Sequence, residues 1–168
     1  ELSEVVFVTD LLVSQYCDQG SFELATQVLR ETLAFLNSSE TNGEVQGNAR
    51  RLQSQLHADA IHARLAHVYL NSGSPEMSAL EYHQILISLN QRPDSIALVT
   101  KKISMLSWLA KAHMKAHRLE ESKLALSEIK ALRSKAGTSS HMRSTAAILN
   151  ATSTVIDNFA RMWLKLDF

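Results

Sequence analysis

Apolar residues recur along this chain at intervals of three and four, in stretches that are separated by glycine and proline. This spacing is the period of an amphipathic α-helix and differs from the strict alternation of a β-strand. All five glycines and both prolines fall between the periodic stretches or at the first position of one, as expected because each destabilises a helix interior. The pattern predicts seven helices, at residues 3–19, 21–37, 48–72, 75–90, 94–117, 119–136 and 142–166.

Residues at the predicted helix ends agree with this division. Ser74 followed by Pro75 is typical of an N-cap with proline in the first helical position, and Asp94 after Pro93 predicts a second N-cap. The glycines at positions 20 and 73 suit left-handed C-terminal caps. Residues 38–47 are polar and contain glycine, so we expect a mobile surface loop there.

Three of the predicted helix pairs share one order of residue types. Adjoining large and small apolar residues are followed by a ring residue, a turn position and a small residue where the second helix crosses the first. The three sets are Leu12, Val13, Tyr16, Gly20 and Ala25; Leu65, Ala66, Tyr69, Gly73 and Ser78; and Leu109, Ala110, His113, His117 and Ser122. Small side chains allow helix backbones to approach closely, so the order predicts antiparallel pairs packed on one another.

This order, clearest between Gln15 and Ala25, resembles the tetratricopeptide repeat family over about residues 6–37 and 58–135. The ring positions lie farther apart than the ~34 residues of the standard repeat, so the resemblance is to an irregular, long-helix variety. It implies an all-α fold of antiparallel helix pairs stacked as a short solenoid. A plain helical bundle would give similar apolar spacing. The coincidence of turn, ring and small-residue positions favours the repeat.

The resemblance also implies where a partner would bind. In this family the first helix of each pair lines a concave groove that holds a peptide or a helix of another protein. By register, the groove positions in this chain are Phe7, Asp10, Ser14, Cys17, Asp18, Ala63, His67, Leu70, Asn71, Ser107, Lys111, Met114 and Lys115. Members of this family that bind the C-terminal carboxylate of a chaperone resemble one another in having Lys and Asn at two of these positions. This chain has Asp10 and Ser14 there, which argues against binding of a chaperone carboxylate.

Composition narrows the classes of partner. The chain has 17 basic and 17 acidic residues, so it lacks the basic excess typical of nucleic-acid binders and of proteins that lie on membranes. No run approaches the ~20 apolar residues of a transmembrane helix. A single cysteine, Cys17, allows no internal disulfide, and this favours an intracellular location in the cytoplasm or nucleus.

Side chains suited to chemistry are few. His113 and His117 share a helix face at a spacing that can hold a metal, but the sequence indicates no third ligand and no general base between them. Cys17 stands beside Asp18, which opposes formation of a thiolate. No phosphate-binding loop or nucleophile elbow is present. We therefore expect no enzyme activity, no metal and no cofactor.

The domain organisation follows from these observations. Residues 1–136 form three helix pairs, and residues 142–168 form a C-terminal helix that caps the array, docks elsewhere or mediates self-association. Its apolar stripe comprises Ile148, Val155, Ile156, Phe159, Met162, Trp163 and Leu166. Residues 137–143 are either a genuine turn before this helix or an engineered junction that joins two non-adjacent pieces or a partner peptide.

The sequence thus predicts a protein–protein interaction scaffold, a segment of a subunit in a larger assembly. Two alternatives belong to other classes. A helical enzyme or small-molecule sensor would need convergent polar residues between helices, and a nucleic-acid-binding helical repeat is disfavoured by the zero net charge.

Overall fold

The computed structural model describes residues 2–41, 48–93 and 95–138. Within these ranges the chain forms six α-helices and no strand, which confirms the all-α fold. The helices are α1 (Leu2–Asp18), α2 (Phe22–Thr41), α3 (Asn48–Asn71), α4 (Pro75–Asn90), α5 (Ile96–Lys115) and α6 (Leu119–Thr138). The predicted seventh helix and the suggested junction lie outside the described residues, except that α6 reaches residue 138.

Two predicted boundaries were wrong. Helix α2 continues to Thr41, so residues 38–41 are helical where a loop was expected. Within this helix the Ser38 hydroxyl donates to the Phe35 carbonyl at 2.9 Å, so the polar side chain has a partner on the preceding turn. Helix α5 is capped by Ser95, whose Oγ accepts from the Leu98 N–H at 3.2 Å, and not by Asp94.

Each helix packs against its neighbours in sequence, and α1 also contacts α3. Buried residues form two cores, one built by α1, α2 and α3 and the other by α3 to α6. Helix α3 belongs to both, because Ile61 and Leu65 face the first core while Ala66 and Leu70 face the second. A helix that buries two faces holds its neighbours on both sides, so α3 determines how α1 and α5 are placed.

The turns that close the three helix pairs have the same geometry. In each turn the carbonyl oxygen of the ring residue accepts a hydrogen bond from the N–H of the residue after the turn position. The N–H of Ser21 donates to Tyr16 at 2.8 Å, that of Ser74 to Tyr69 at 2.8 Å, and that of Arg118 to His113 at 2.9 Å. This bond characterises the Schellman C-cap, which needs a left-handed residue. The left-handed residues are Gly20 (φ 71°), Gly73 (φ 81°) and His117 (φ 57°). The third turn therefore keeps this geometry without a glycine.

The small residues predicted at the helix crossings are buried. Ala25 and Ser78 are 0% exposed, and Ser122 is 3% exposed. Because the second helix of each pair begins just before these positions, a small side chain there lets it lie close to the first helix. The shared order of residue types thus corresponds to a shared local structure.

We expect the substitution His117→Gly to raise the free energy of unfolding by about 1 kcal/mol. A residue with a Cβ is strained in the left-handed region, and glycine is not. The His117 side chain is exposed, so little packing is lost. Urea unfolding followed by circular dichroism measures the change.

The matched substitution is Gly73→Ala, expected to lower the free energy of unfolding by about 1 kcal/mol. No atom lies within 4 Å of the Cβ that alanine would add there, so the loss reports backbone strain alone. If His117→Gly destabilised the protein, the left-handed conformation at this turn would be contradicted.

Candidate functional site

Two side-chain contacts connect the first helices of the three pairs. Arg64 Nε of α3 donates to Asp10 Oδ1 of α1 at 2.9 Å. The rings of His67 in α3 and Trp108 in α5 meet edge to face with centroids 4.5 Å apart. Helices α1, α3 and α5 therefore present side chains next to one another. We call this the odd-helix surface, formed by Phe7, Asp10, Leu11, Ser14, Arg64, His67, Trp108, Lys111 and Lys115.

Residues of this surface occupy equivalent places on the three helices. Leu11, Arg64 and Trp108 each stand at the same number of positions before their turn, and so do Ser14, His67 and Lys111. Because the three turns share the same hydrogen bond, the members of each set lie at the same distance along their helices from the turn. From α1 to α3 to α5, the residue in the first set is thus leucine, arginine and tryptophan. In the second set it is serine, histidine and lysine.

The α5 side of the surface combines an aromatic ring with positive charge. Lys111 Nζ lies 4.7 Å from the centroid of the Trp108 ring, a cation–π contact. Burial, with smaller contributions from Arg64 and Lys111, lowers the pKa of the neighbouring His67. Lys115 Nζ lies 3.5 Å from the Leu70 carbonyl oxygen. This side is therefore cationic and holds a neutral imidazole at pH 7.

The α1 side of the surface carries large exposed apolar side chains. Phe7 is 63% exposed and Leu11 is 57% exposed, and the two are one helical turn apart on the same face. Beyond Leu11 lies Cys17, whose pKa is raised by burial and then by Asp18, although Arg64 opposes this. The thiol is thus protonated at neutral pH and is not an activated nucleophile.

Most residues that the register placed on the groove do lie at the surface. Phe7, Ser14, Asp18, Asn71 and Lys115 are exposed. The predicted groove residues that are partly exposed are Asp10, Cys17, Ala63, His67, Ser107, Lys111 and Met114.

The placement of Leu70 was wrong. This residue is 3% exposed and belongs to the second core, together with residues of α4 and α5. The register identifies the face of α3 on which Leu70 lies but does not show that this part of the face is buried in the second core. Leu70 therefore stabilises the fold and offers no side chain to a partner.

Sequence reasoning missed Leu11, Arg64 and Trp108. Their signal was present, because all three occupy one position of the shared order of residue types. It was overlooked because the residue types at that position differ in each pair.

The two histidines considered for metal binding have different surroundings. His113 is 5% exposed, and its pKa is lowered first by burial and then by His83, whose ring centroid is 5.9 Å away. His117 is exposed in its left-handed turn. In the described ranges, no three His, Cys, Asp or Glu side chains are grouped so that they could hold a metal ion.

A polar cavity of about 280 Å³ lies between α2, α3 and α4, away from the odd-helix surface. Its lining residues, four of which carry amide side chains, are Asn37, Gln55, Ala58, Asp59, His62, Gln84, Ile87, Ser88 and Gln91. The sequence did not indicate this convergence, because the residues come from three helices. His62 Nδ1 lies 2.6 Å from Glu81 Oε2, so its ring is held by α4.

The acidic group of this cavity is neutralised within the fold. Asp59 is 3% exposed, and its Oδ2 lies 2.8 Å from a terminal nitrogen of Arg92 and 3.4 Å from Lys101 Nζ. The same Arg92 nitrogen lies 2.9 Å from Ser88 Oγ. This cluster joins α3 to the start of α5, so we assign Asp59 a structural role.

Among the described helices, none is both long enough and apolar enough to cross a membrane. Comparison with known proteins adds no relative, since no protein-family model, no curated protein and no solved structure matches this chain.

Proposed function

We propose that this chain is a protein–protein interaction module that binds a segment of a partner protein on the odd-helix surface. The observation that carries the proposal is the contact of Asp10 with Arg64 and of His67 with Trp108, which brings residues from three helices into one surface. An exposed surface with large apolar, aromatic and cationic side chains is typical of binding sites.

The resemblance to the irregular tetratricopeptide variety is part of this proposal. It is supported by the three turns with the same hydrogen bond and by the buried small residues at the helix crossings. In this view the helix pairs stack as a short solenoid, and the odd-helix surface is its concave side. We place the protein inside the cell, in a larger assembly.

The proposal includes no catalytic step. The protonated thiol of Cys17 and the internally neutralised Asp59 support this, because neither is poised as a nucleophile or a base. A protein partner is favoured over nucleic acid because the chain carries equal numbers of basic and acidic residues.

A pair of matched double variants tests the function. Leu11→Ser with Lys111→Ser alters the odd-helix surface, whereas Leu124→Ser with Lys130→Ser makes the same changes on exposed residues of α6. Partners that co-purify with the tagged wild-type chain are identified by mass spectrometry, and their affinity is then measured with purified components. We expect the first variant to lose binding and the second to retain it. Equal binding by both would refute a partner site on the odd-helix surface.

A further inference from the structure

We propose that mild acid opens the contact of α5 with α3 and α4, because His113 and His67 hold this contact closed only while their rings are neutral. The opening separates α5 and α6 from the other helices, while α1 and α2 stay folded. Because α5 contributes Trp108 to the odd-helix surface, the same change takes that surface apart and releases a partner bound there. Only this last consequence rests on the proposed function.

The order of packing suits a local opening. Helix α6 packs against α5, and α5 packs against α4. The ring contact of His67 with Trp108 joins α5 to α3 as well. Separation of α5 from α3 and α4 therefore releases the last two described helices together. Cooperative units of this size open at a lower free energy than the whole protein.

His113 lies in the α4–α5 part of the contact. It is 5% exposed, and its Nδ1 atom has no hydrogen-bond partner among the described residues. An imidazolium donates from both ring nitrogens, so protonation leaves a buried N–H without an acceptor. The His83 ring of α4 lies with its centroid 5.9 Å from that of His113, so two protonated rings repel each other. The packed arrangement thus fits the neutral ring.

The other charged groups near His113 do not reverse this preference. Burial lowers the pKa of His113 most, followed by His83, whereas Glu121 raises it and Arg118 lowers it again. Glu121 is exposed in the first turn of α6, so water screens the attraction of its carboxylate for an imidazolium. The closed contact therefore favours the neutral form of His113.

His67 lies in the α3–α5 part of the contact, between two aromatic rings. Its ring centroid is 4.5 Å from that of Trp108 in α5 and 6.1 Å from that of Tyr82 in α4, and both contacts are edge to face. Tyr82 is 0% exposed, and burial keeps its phenol neutral because it raises the pKa of this group. The tyrosine therefore supplies no negative charge to stabilise a protonated His67.

The charges around His67 also oppose its protonation. Burial lowers the pKa of His67 most, and Arg64 and then Lys111 lower it further. Arg64 is paired with Asp10, so its contribution is partly compensated, and burial remains the main cause. Protonation of His67 is thus unfavourable as long as α5 stays packed against α3.

The direction of the pH effect follows from these two histidines. A histidine in an open or unfolded chain titrates near pH 6.5, and the pKa values of His67 and His113 in the closed contact are lower. Between these values the open state binds more protons, so the contact is most stable above about pH 6.5 and weakens as the pH falls. Each histidine raises the opening constant by at most about tenfold for each pH unit.

Hydrogen exchange followed by mass spectrometry tests the proposal at about pH 7.5 and about pH 5.5, after correction for the pH dependence of intrinsic exchange. We expect the protection of amides in α5 and α6 to fall by about tenfold or more at the lower pH, and to recover when the pH is restored. The protection of amides in α1 and α2 should stay nearly constant.

Variants of the protein assign the response to particular rings. His113→Gln removes the titrating group at similar volume and should abolish most of the loss of protection. His113→Phe keeps a ring at this position and serves as a second variant if glutamine disturbs the packing. His67→Gln should remove a separate part of the response. The control, His117→Asn, removes an exposed histidine from the adjoining turn and keeps a residue that tolerates the left-handed conformation, so its response should match the wild type.

Three results would overturn the proposal. Unchanged protection of α5 and α6 in acid would show that the contact does not respond to pH. An equal loss of protection in all six helices would show global unfolding in place of a local opening. A full response that persists in both His113 variants, or that is lost in His117→Asn, would show that the buried ring is not the group responsible.

Discussion

Replacing Asp59 with asparagine is expected to lower the free energy of unfolding by about 3–5 kcal/mol. Asp59 is 3% exposed and accepts hydrogen bonds from Arg92 and Lys101. The Arg92 side chain is itself only 11% exposed, so the substitution leaves its guanidinium group buried without a counter-charge. Equilibrium unfolding in urea measures the loss.

Two further variants give this prediction its controls. Asp10→Asn breaks an ion pair with Arg64 whose side chains are 49% and 41% exposed, and should cost at most about 1 kcal/mol. The double variant Asp59→Leu with Arg92→Leu removes both charges and should recover most of the stability, because the cost of burying the pair disappears with it. Equal losses for Asp59→Asn and Asp10→Asn would show that Asp59 is not buried with its partners.

Tyr82→Ala is expected to lower the free energy of unfolding by about 3–5 kcal/mol, whereas Tyr82→Phe should leave it unchanged or slightly higher. The side chain is 0% exposed at the centre of the second core, so its removal leaves a cavity. Its hydroxyl, however, has no hydrogen-bond partner among the described residues, and burial raises the pKa of this phenol. Deleting the hydroxyl therefore removes a desolvated group without breaking a bond.

Tyr69→Phe is the matched control. The Tyr69 hydroxyl accepts a hydrogen bond from Arg30, so its deletion should cost about 1 kcal/mol. Thermal and urea unfolding of the two phenylalanine variants compare the hydroxyls directly. A loss in Tyr82→Phe as large as that in Tyr69→Phe would reveal a partner for the buried hydroxyl.

The positions of the six described helices follow from the sequence by local rules. Glycine and proline mark the ends of the helices because each destabilises a helix interior. Gly20 and Gly73 predict left-handed turns, and the shared order of residue types predicts an equivalent turn at His117. The small residues at the crossings were also recognisable, since Ala25 and Ser78 occur at one offset from the turns and are fully buried. These features depend only on residues within a few positions of one another.

The candidate surface was predictable in part for the same reason. Helical periodicity indicates which side chains share a face, and the register of the resembled repeat then placed Phe7, His67 and Lys111 on the face that would bind a partner. Periodicity does not show which part of a face the next helix covers. Leu70 follows the same register, yet it is buried with residues of α4 and α5.

Tertiary structure alone decided the contacts between helices. The pairing of Asp59 with Arg92 and Lys101 and the meeting of His67 with Trp108 join residues far apart in sequence. The polar cavity arises in the same way, from side chains of three helices. The sequence by itself therefore determined the helices, their turns and the faces they present, because those depend on local geometry. Which faces meet, and which side chains stay exposed to a partner, was decided by packing, because burial depends on helices that are distant along the chain.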